Sequence, residues 1–335
     1  MDKKLLIKLY GSGLNRAKMR RIGIIDLGTN TFNLLLAEVK EQHYTIFYKT
    51  KIAVKLGEGG ITKGTIAQAP YQRGIDALTK YKAILVEKNI TEFYAVATSA
   101  IRSANNGVFF AQEVEDKLGI KINIIDGDTE ADLIYQGVKQ AIDLENSPKL
   151  IIDIGGGSTE FIIANSEEIF WRKSYKLGAA RLLETFNPAN PINIENIATI
   201  DAYLEETLEE MIEMAEIYEV NCLIGSSGSF DTLAEMISCK NGSCDLWKKE
   251  TQYQFLMTDY NGIQRTISES TLEQRLQMEG LIPMRADMIV IAVVIINYIL
   301  NRLIIHDLRL SSYALKEGLI DTLLTKPHTW QKSSL

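Results

Sequence analysis

The chain has 335 residues, which is room for roughly two domains at about 150 residues each. It is 46% hydrophobic and 24% charged, a globular balance that can bury a sizeable core. Its formal net charge of −7 argues against a broad nucleic-acid face, so no DNA partner is expected, although a local basic groove for a polyanion remains compatible.

The first twenty residues are basic, and their apolar run is too short for a secretory signal. They read as a poorly ordered leader, residues 1–20, before the first strand. Ile22–Ile25 then forms a buried strand, Asp26–Thr31 a polar turn and Phe32–Val39 a returning strand, with His43–Thr50 continuing a meander. Helical spacing marks Pro70–Lys88. Phe93–Ala97 is a short strand, Val108–Leu118 a helix, Ile122–Ile125 a strand and Glu130–Ile142 a helix. The pattern then restarts. Leu150–Ile154 is an apolar strand, Gly155–Thr159 a turn and Phe161–Ala164 a returning strand. Asn193–Tyr218 reads as one long helix with a solvated acidic face. Cys222–Ile224 is a strand, and a helix starts near Phe230. Further helices are expected at about 270–278 and 285–304, a strand at Leu308–Leu310 and a closing helix at Tyr313–Leu324. The most apolar stretch, Met288–Ile296, is too short to span a bilayer and reads as a core helix, so no membrane partner is expected.

Three cysteines, Cys222, Cys239 and Cys244, give no disulfide framework, so a reducing, cytoplasmic setting is the default. A zinc site would need more ligands, and only His43, His306 and His328 could supply them.

IIDLGTNT at 24–31 and IIDIGGGST at 151–159 share one plan: an apolar strand, an aspartate, a glycine turn, hydroxyl residues and a returning strand. This predicts two related α/β lobes, each with a phosphate-binding hairpin. It does not suit a Rossmann unit, because each turn leads into a strand rather than a helix. Glycine lets successive amides approach an anion, and hydroxyls add donors without charge. Gly28, Thr29, Asn30 and Thr31 carry this equipment once. Gly155, Gly156, Gly157, Ser158 and Thr159 carry it again. One such hairpin is compatible with a plain tight turn, whereas two matched ones facing a cleft would grip one phosphate from two sides.

Asp26 and Asp153 end apolar strands, where a carboxylate needs a partner, a capping role or a metal. Magnesium favours one or two carboxylates with waters and substrate phosphates, and Glu160 could join Asp153. Arg102, after Thr98-Ser99, could fork onto phosphate oxygens or serve as an ordinary surface arginine. With Asp128 or Thr129 as cap, Glu130 falls in the first turn of its helix. There it is either a favourable acid at a positive helix end or a base held toward water, kept ionised by that helix end. Gly225, Ser226, Ser227 and Gly228 lie between a strand and a helix and could contact a base, a ribose or further phosphates, or form a closely packed connector.

IGIIDLGTNTFNLLLAEV, ATSAIR at 97–102, IIDGDTEADLIYQGV and LIIDIGGGSTEFII together resemble the exopolyphosphatase/guanosine pentaphosphate phosphohydrolase (Ppx/GppA) family. LGAARL, IGSSGSFDTL and LRLSSYALKEGLI also fit, so the resemblance runs from about Arg21 to about Leu324. It implies an α/β fold of two actin-like (ribonuclease H-like) lobes around a central cleft. Lobe I would span 21–135, with a C-terminal helix at about 312–325 returning to it, and lobe II 136–311. It implies Glu130 as catalytic base and Arg102 as a phosphate-binding arginine. Asp153 and Glu160 become metal-associated acids, with Asp26 beside them, and Asn30, Gly156 and Ser158 contact phosphate. The implied cofactor is Mg²⁺ or another divalent cation, and the implied reaction is hydrolysis of the terminal phosphate of inorganic polyphosphate or of pppGpp. Thr129 and Asp132 depart from the family, which often has glutamate and arginine there. A non-catalytic polyphosphate or alarmone sensor and a small-molecule kinase on the same fold are the alternatives. Glu130 separates the sensor, which needs no base, from the hydrolase. With no region seen to extend a basic channel, short polyphosphates are expected to be favoured, unless a homodimer lengthens the channel across its interface.

Overall fold

The computed structural model describes residues 20–325 and 330–333. The expected leader therefore lies outside the described residues except for Arg20, and so does His328. In chain order the first half contains β1 (Arg20–Leu27), β2 (Thr31–Lys40), β3 (His43–Ala53), α1 (Gln68–Glu87), β4 (Phe93–Ala97), α2 (Ser99–Arg102), α3 (Gly107–Leu118), β5 (Ile122–Ile124) and α4 (Gly127–Ala141). The second half opens with β6 (Lys149–Ile154), β7 (Thr159–Ala164), β8 (Ile169–Tyr175), α5 (Ala179–Phe186), α6 (Ile194–Thr207), α7 (Glu209–Ile217), β9 (Cys222–Ser226) and α8 (Gly228–Lys240). It continues through β10 (Gln252–Phe255), α9 (Met257–Glu269), α10 (Leu272–Arg275), α11 (Ile289–Arg302), β11 (Asp307–Ser311) and α12 (Leu315–Thr325).

Two mixed sheets carry the restart seen in the sequence. The first has the order β3-β2-β1-β4-β5 and the second β10-β11-β9-β6-β7-β8. Reading β6, β7, β8, β9 and β11 as counterparts of β1 to β5 makes the two orders identical, with β10 as an added edge strand. In both, the first two strands pair antiparallel and the crossover strand joins in parallel. This is the actin-like, two-lobed α/β architecture, and it places Asp26 and Asp153 at the same point of each sheet.

The first sheet packs Ile25, Leu34 and Leu36 against Tyr81, Leu78 and Phe110 of α1 and α3. The second buries Leu150 and Phe161 under α5–α11. A third cluster joins the sheets: Ile24 and Leu35 from one, Ile151 and Ile162 from the other, with α4 and α12 between them. These two helices cross so closely that a methyl on Gly318 would lie 1.8 Å from the Leu133 carbonyl, and one on Gly137 2.0 Å from the Ala314 carbonyl. Only glycine permits this crossing, which brings the start of α12 to the cleft.

Several expectations are revised. The helix expected over 193–218 is two helices broken at Leu208, whose buried side chain and φ −100°, ψ 11° close one helix and open the next without glycine or proline. The region near 270–278 holds only the one-turn α10, behind the unanticipated α9. Strand β8, strand β10 and helix α5 were not legible either. The Met288–Ile296 stretch forms α11, buried from Ile289 to Ile296, each large side chain contributing about 1.5–3 kcal/mol. Among the described residues no helix is long and apolar enough to cross a membrane.

Cys239 and Cys244 form a disulfide, against the expectation of unpaired cysteines; the turn after α8 brings their Cα atoms to 4.2 Å. Glu235 joins them in the one three-donor cluster formed among the described residues, but bonded sulfurs are not thiolate ligands. Cys222 is free and buried.

Candidate active site

The two hairpins close alike. Gly28 N–H donates to Thr31 O at 3.1 Å, and Gly155 N–H to Ser158 O at 3.0 Å. The turns then meet. A methyl on Gly156 would lie 2.3 Å from Asn30 Nδ2, and one on Gly157 2.7 Å from Thr29 Oγ1. Behind them the Gly155 and Gly156 carbonyls accept from Ala179, Ala180 and Arg181 amides, and the Gly157 carbonyl from Arg181 Nε. The carbonyls are thus directed away into the start of α5. None of the turn or loop bonds formed by the described residues uses the amides of Thr29, Asn30, Gly156, Gly157 or Ser158. Clustered amides of this kind make an anion nest.

Both hairpins line one cavity of about 430 Å³. Asp26, Gly28, Thr29, Asn30 and Thr31 line one wall, and Asp153, Gly155, Gly156, Gly157 and Ser158 the other. Glu130, Ser227 and Gly228 also reach it. Arg102, Thr159, Glu160, Gly225 and Ser226 do not. The Thr159 hydroxyl donates to Leu177 O at 3.0 Å in the core. Gly225 makes room for Phe230, whose ring would lie 2.1 Å from an added methyl. Ser226 acts through Asp153, as does Ser227: their hydroxyls donate to Asp153 Oδ2 at 2.9 and 2.6 Å. Ser227 holds this pose at φ +67°, a conformation that side chains other than glycine rarely adopt.

Glu130 sits in the first turn of α4, but Asp126 is the cap: its Oδ1 accepts from Thr129 N–H at 2.7 Å. Glu130 Oε2 accepts from Arg102 Nη1 at 2.7 Å, and the same nitrogen donates to Ile125 O. The helix end does not suffice to keep Glu130 in the ordinary carboxylate range. Burial, then the nearby Glu160, push its pKa well up, and Arg102 opposes them.

The remaining acids share this strain. Burial raises Asp26, with Asp153 adding to it and Lys316 and Asn33 opposing. Burial raises Asp153, and its two serines and Lys316 pull it back. Glu160 is pushed up to about 7 by burial and then by Asp153; its Oε1 accepts from Ser174 Oγ at 2.6 Å. Buried carboxylates that repel one another fit a hard divalent cation held by one or two of them plus waters and phosphate oxygens.

Sequence reasoning missed a set of charged residues in the cavity wall: Lys51, Asp231, Arg285 and Lys316. Lys316 comes from the first turn of α12. Burial works against its charge, but Glu317, Asp26, Asp153 and Asp231 outweigh it and raise its pKa, none of them through a hydrogen bond. The segment LRLSSYALKEGLI fits the family pattern without revealing that this ammonium faces the hairpin aspartates, because the close crossing of α4 and α12 sets that position.

The description Ppx/GppA phosphatase family matches residues 35–327. Exopolyphosphatase 1 of Mycobacterium tuberculosis is 27% identical over 305 residues, 90% of this chain and 87% of its own length. A guanosine-5'-triphosphate,3'-diphosphate pyrophosphatase of Photobacterium profundum is 27% identical over 90% of this chain, which spans 59% of that longer protein. The crystal structure of an exopolyphosphatase from Cytophaga hutchinsonii superposes with a TM-score of 0.89 at 37% identity, covering 91% of this chain and 98% of that one. With the repeated sheet order and the paired hairpins, these matches show that the chain belongs to the Ppx/GppA phosphatase family and is a hydrolase of that kind.

Proposed function

We propose that the protein removes the terminal phosphate from inorganic polyphosphate, from pppGpp or from both, with water as nucleophile and Glu130 as base. The observation that carries this reading is the pair of hairpins with amides uncommitted to turn or loop bonds, meeting at a cavity that Glu130 also lines. The terminal phosphate would lie between Thr29-Asn30 and Gly156-Gly157-Ser158. Water attacks its phosphorus, the bridging P–O bond breaks, Glu130 takes the proton, and the shortened chain leaves as the anion. Little covalent chemistry is asked of the protein; positioning and charge compensation supply the rate. Arg102 orients the Glu130 carboxylate and favours its ionised form, which a base requires.

Asp153 and Asp26 would hold a divalent cation, with Glu160 behind Asp153 and the two serines fixing Asp153 Oδ2. Bound there, such an ion would offset the negative charge of the phosphate. Lys316 supplies a fixed positive charge beside the same acids.

The test is phosphate release from polyphosphates of graded length and from pppGpp, with and without Mg²⁺. Cation-dependent release from at least one of them is expected. Release from none, or full activity after exhaustive metal removal, would contradict the reading.

A further inference from the structure

The turn after α8 gathers a group of metal-ligating side chains that the hydrolase reading leaves unused. Glu235 and Cys239 stand four residues apart on α8 and so share one of its faces. Cys244 returns to them around Gly242, at φ +73°. The Cys239 sulfur lies 3.7 Å from Glu235 Oε1, and the Cys244 sulfur 3.5 Å from Glu279 Oε1. Glu279 comes from a separate stretch of chain, after α10. Its neighbour Gly280, at φ +81°, lies directly on the α8 backbone, where an added methyl would be 2.8 Å from Met236 Cα. That close approach sets Glu279 beside the cysteines. The two sulfurs are joined in a disulfide and carry no proton, so neither carboxylate oxygen receives a hydrogen bond from the sulfur it faces. Glu235 is fixed from behind. Its Oε2 accepts from Trp247 Nε1 at 2.7 Å and pairs with Lys248 Nζ at 3.0 Å, which turns Oε1 toward the sulfurs.

We propose that reduction of this disulfide opens a site for one zinc ion, with Cys239, Cys244, Glu235 and Glu279 as its four ligands. Four residues separate the cysteines, a spacing found in structural zinc sites, and thiolate sulfur and carboxylate oxygen are both zinc ligands. Bond lengths of about 2.3 Å to sulfur and about 2.1 Å to oxygen place neighbouring sulfur and oxygen ligands of a tetrahedron about 3.6 Å apart. The two sulfur–oxygen separations, 3.5 and 3.7 Å, match that value. What remains is to part the sulfurs. Cys244 is exposed in a turn and can move, whereas Cys239 is buried on its helix. A dithiol supplies two electrons and two protons: the S–S bond breaks, both cysteines become thiols and the dithiol becomes a disulfide. Zinc then displaces the two thiol protons to water, and the sulfurs bind as thiolates. The bonds of Glu235 Oε2 to Trp247 and Lys248 are the kind of outer support that orients a metal-binding carboxylate. Thiolates select zinc over magnesium, which sets this site apart from the hairpin acids. The sequence-based expectation counted only histidines as further zinc ligands; the fold supplies glutamates instead.

The test reduces the full chain with a dithiol, removes the dithiol without air, and titrates the protein with Zn²⁺ against a chromophoric chelator and with Cd²⁺ by ultraviolet absorption. Cadmium reports thiolate ligation through a sulfur-to-metal charge-transfer band that a purely carboxylate site cannot give. The reduced wild-type protein is expected to show that band, saturating at one ion per chain, and the oxidised protein to lack it. Cys244→Ser should abolish the band in the reduced protein. Glu235→Gln and the exposed Glu279→Gln, which leave the cysteines in place, should each weaken Zn²⁺ binding by about tenfold or more, since even groups behind the ligands are typically worth that much. No band from the reduced wild-type protein, an equal band from the oxidised one, or unchanged Zn²⁺ affinity in both glutamate variants would overturn the proposal.

Discussion

The two hairpins start from one backbone plan and diverge in what surrounds their aspartates. Opposite Asp26 in the β-ladder stands Asn33, whose Nδ2 donates to it at 3.0 Å. Opposite Asp153 stands a second acid, Glu160. The parallel neighbour of Asp26 is Val96, and that of Asp153 is Ser226. The first hairpin therefore sets a single carboxylate beside an amide donor and an apolar strand, while the second concentrates negative charge and spends two hydroxyls holding it. The turns differ in the same sense. The first keeps side chains at Thr29 and Asn30, and the second is stripped to three glycines because those side chains press against it. On the proposed reading, one lobe supplies donors, Asp26 and, through α4, the base; the other supplies the paired acids Asp153 and Glu160. A duplicated scaffold constrains where functional groups sit and leaves their identity free to separate.

The sharpest way to break this division of labour is to give the second turn a side chain. Gly156→Ala would place a methyl 2.3 Å from Asn30 Nδ2 and 3.0 Å from Thr29 Cβ, so the Asn30 side chain must leave its place or the hairpins must part. A misplacement of about 1 Å can cost about 10²-fold in rate, and that is the expected fall in kcat; overpacking should also lower stability by about 1–3 kcal/mol. A rate within twofold of wild type would show that the turns need not touch. Next in size is the support of Asp153. Ser227→Ala removes the 2.6 Å bond to Oδ2 and should raise the Mg²⁺ concentration for half-maximal rate about tenfold, in line with partners that orient a ligand. Asn33→Ala, its counterpart beside Asp26, should raise it less. Equal shifts would erase the contrast between the hairpins.

The smallest effect concerns pH. A carboxylate base works only when ionised, so the rate falls as pH drops through its pKa. Burial and Glu160 raise that pKa and Arg102 lowers it. The acid limb of wild-type kcat/KM should therefore lie above the ordinary carboxylate range, and Arg102→Gln should move it to still higher pH. A limb that stays in place, or moves down, would separate Arg102 from the ionisation of Glu130.

Much of the first-order plan was readable in the sequence because it is local. An apolar strand, an aspartate and a glycine turn lie within eight or nine consecutive residues, and both copies fold where they were expected. The place of Glu130 in the first turn of a helix was legible too, whereas its reading as a base came from the family resemblance. What stayed hidden is set by distant packing. Nothing in the sequence pairs Arg102 with Glu130, since α2 and the start of α4 meet only once the first sheet forms. Lys316 reaches the aspartates only because Gly137 and Gly318 let two helices cross so closely. The disulfide depends on a tight turn after α8, and the break at Leu208 has no glycine or proline to announce it. Strand β8, IFWRKSY, is half-buried along nearly its whole length and so lacks the alternation that marks a strand.

The central claim is that Glu130 is the base acting on a phosphate held between the hairpins. Glu130→Gln keeps the side chain's size and removes its ability to accept a proton. Single-turnover phosphate release should fall by about 10²–10⁴-fold, while polyphosphate binding, measured separately, stays within a few-fold of wild type. A variant that releases phosphate at more than half the wild-type rate would contradict the account.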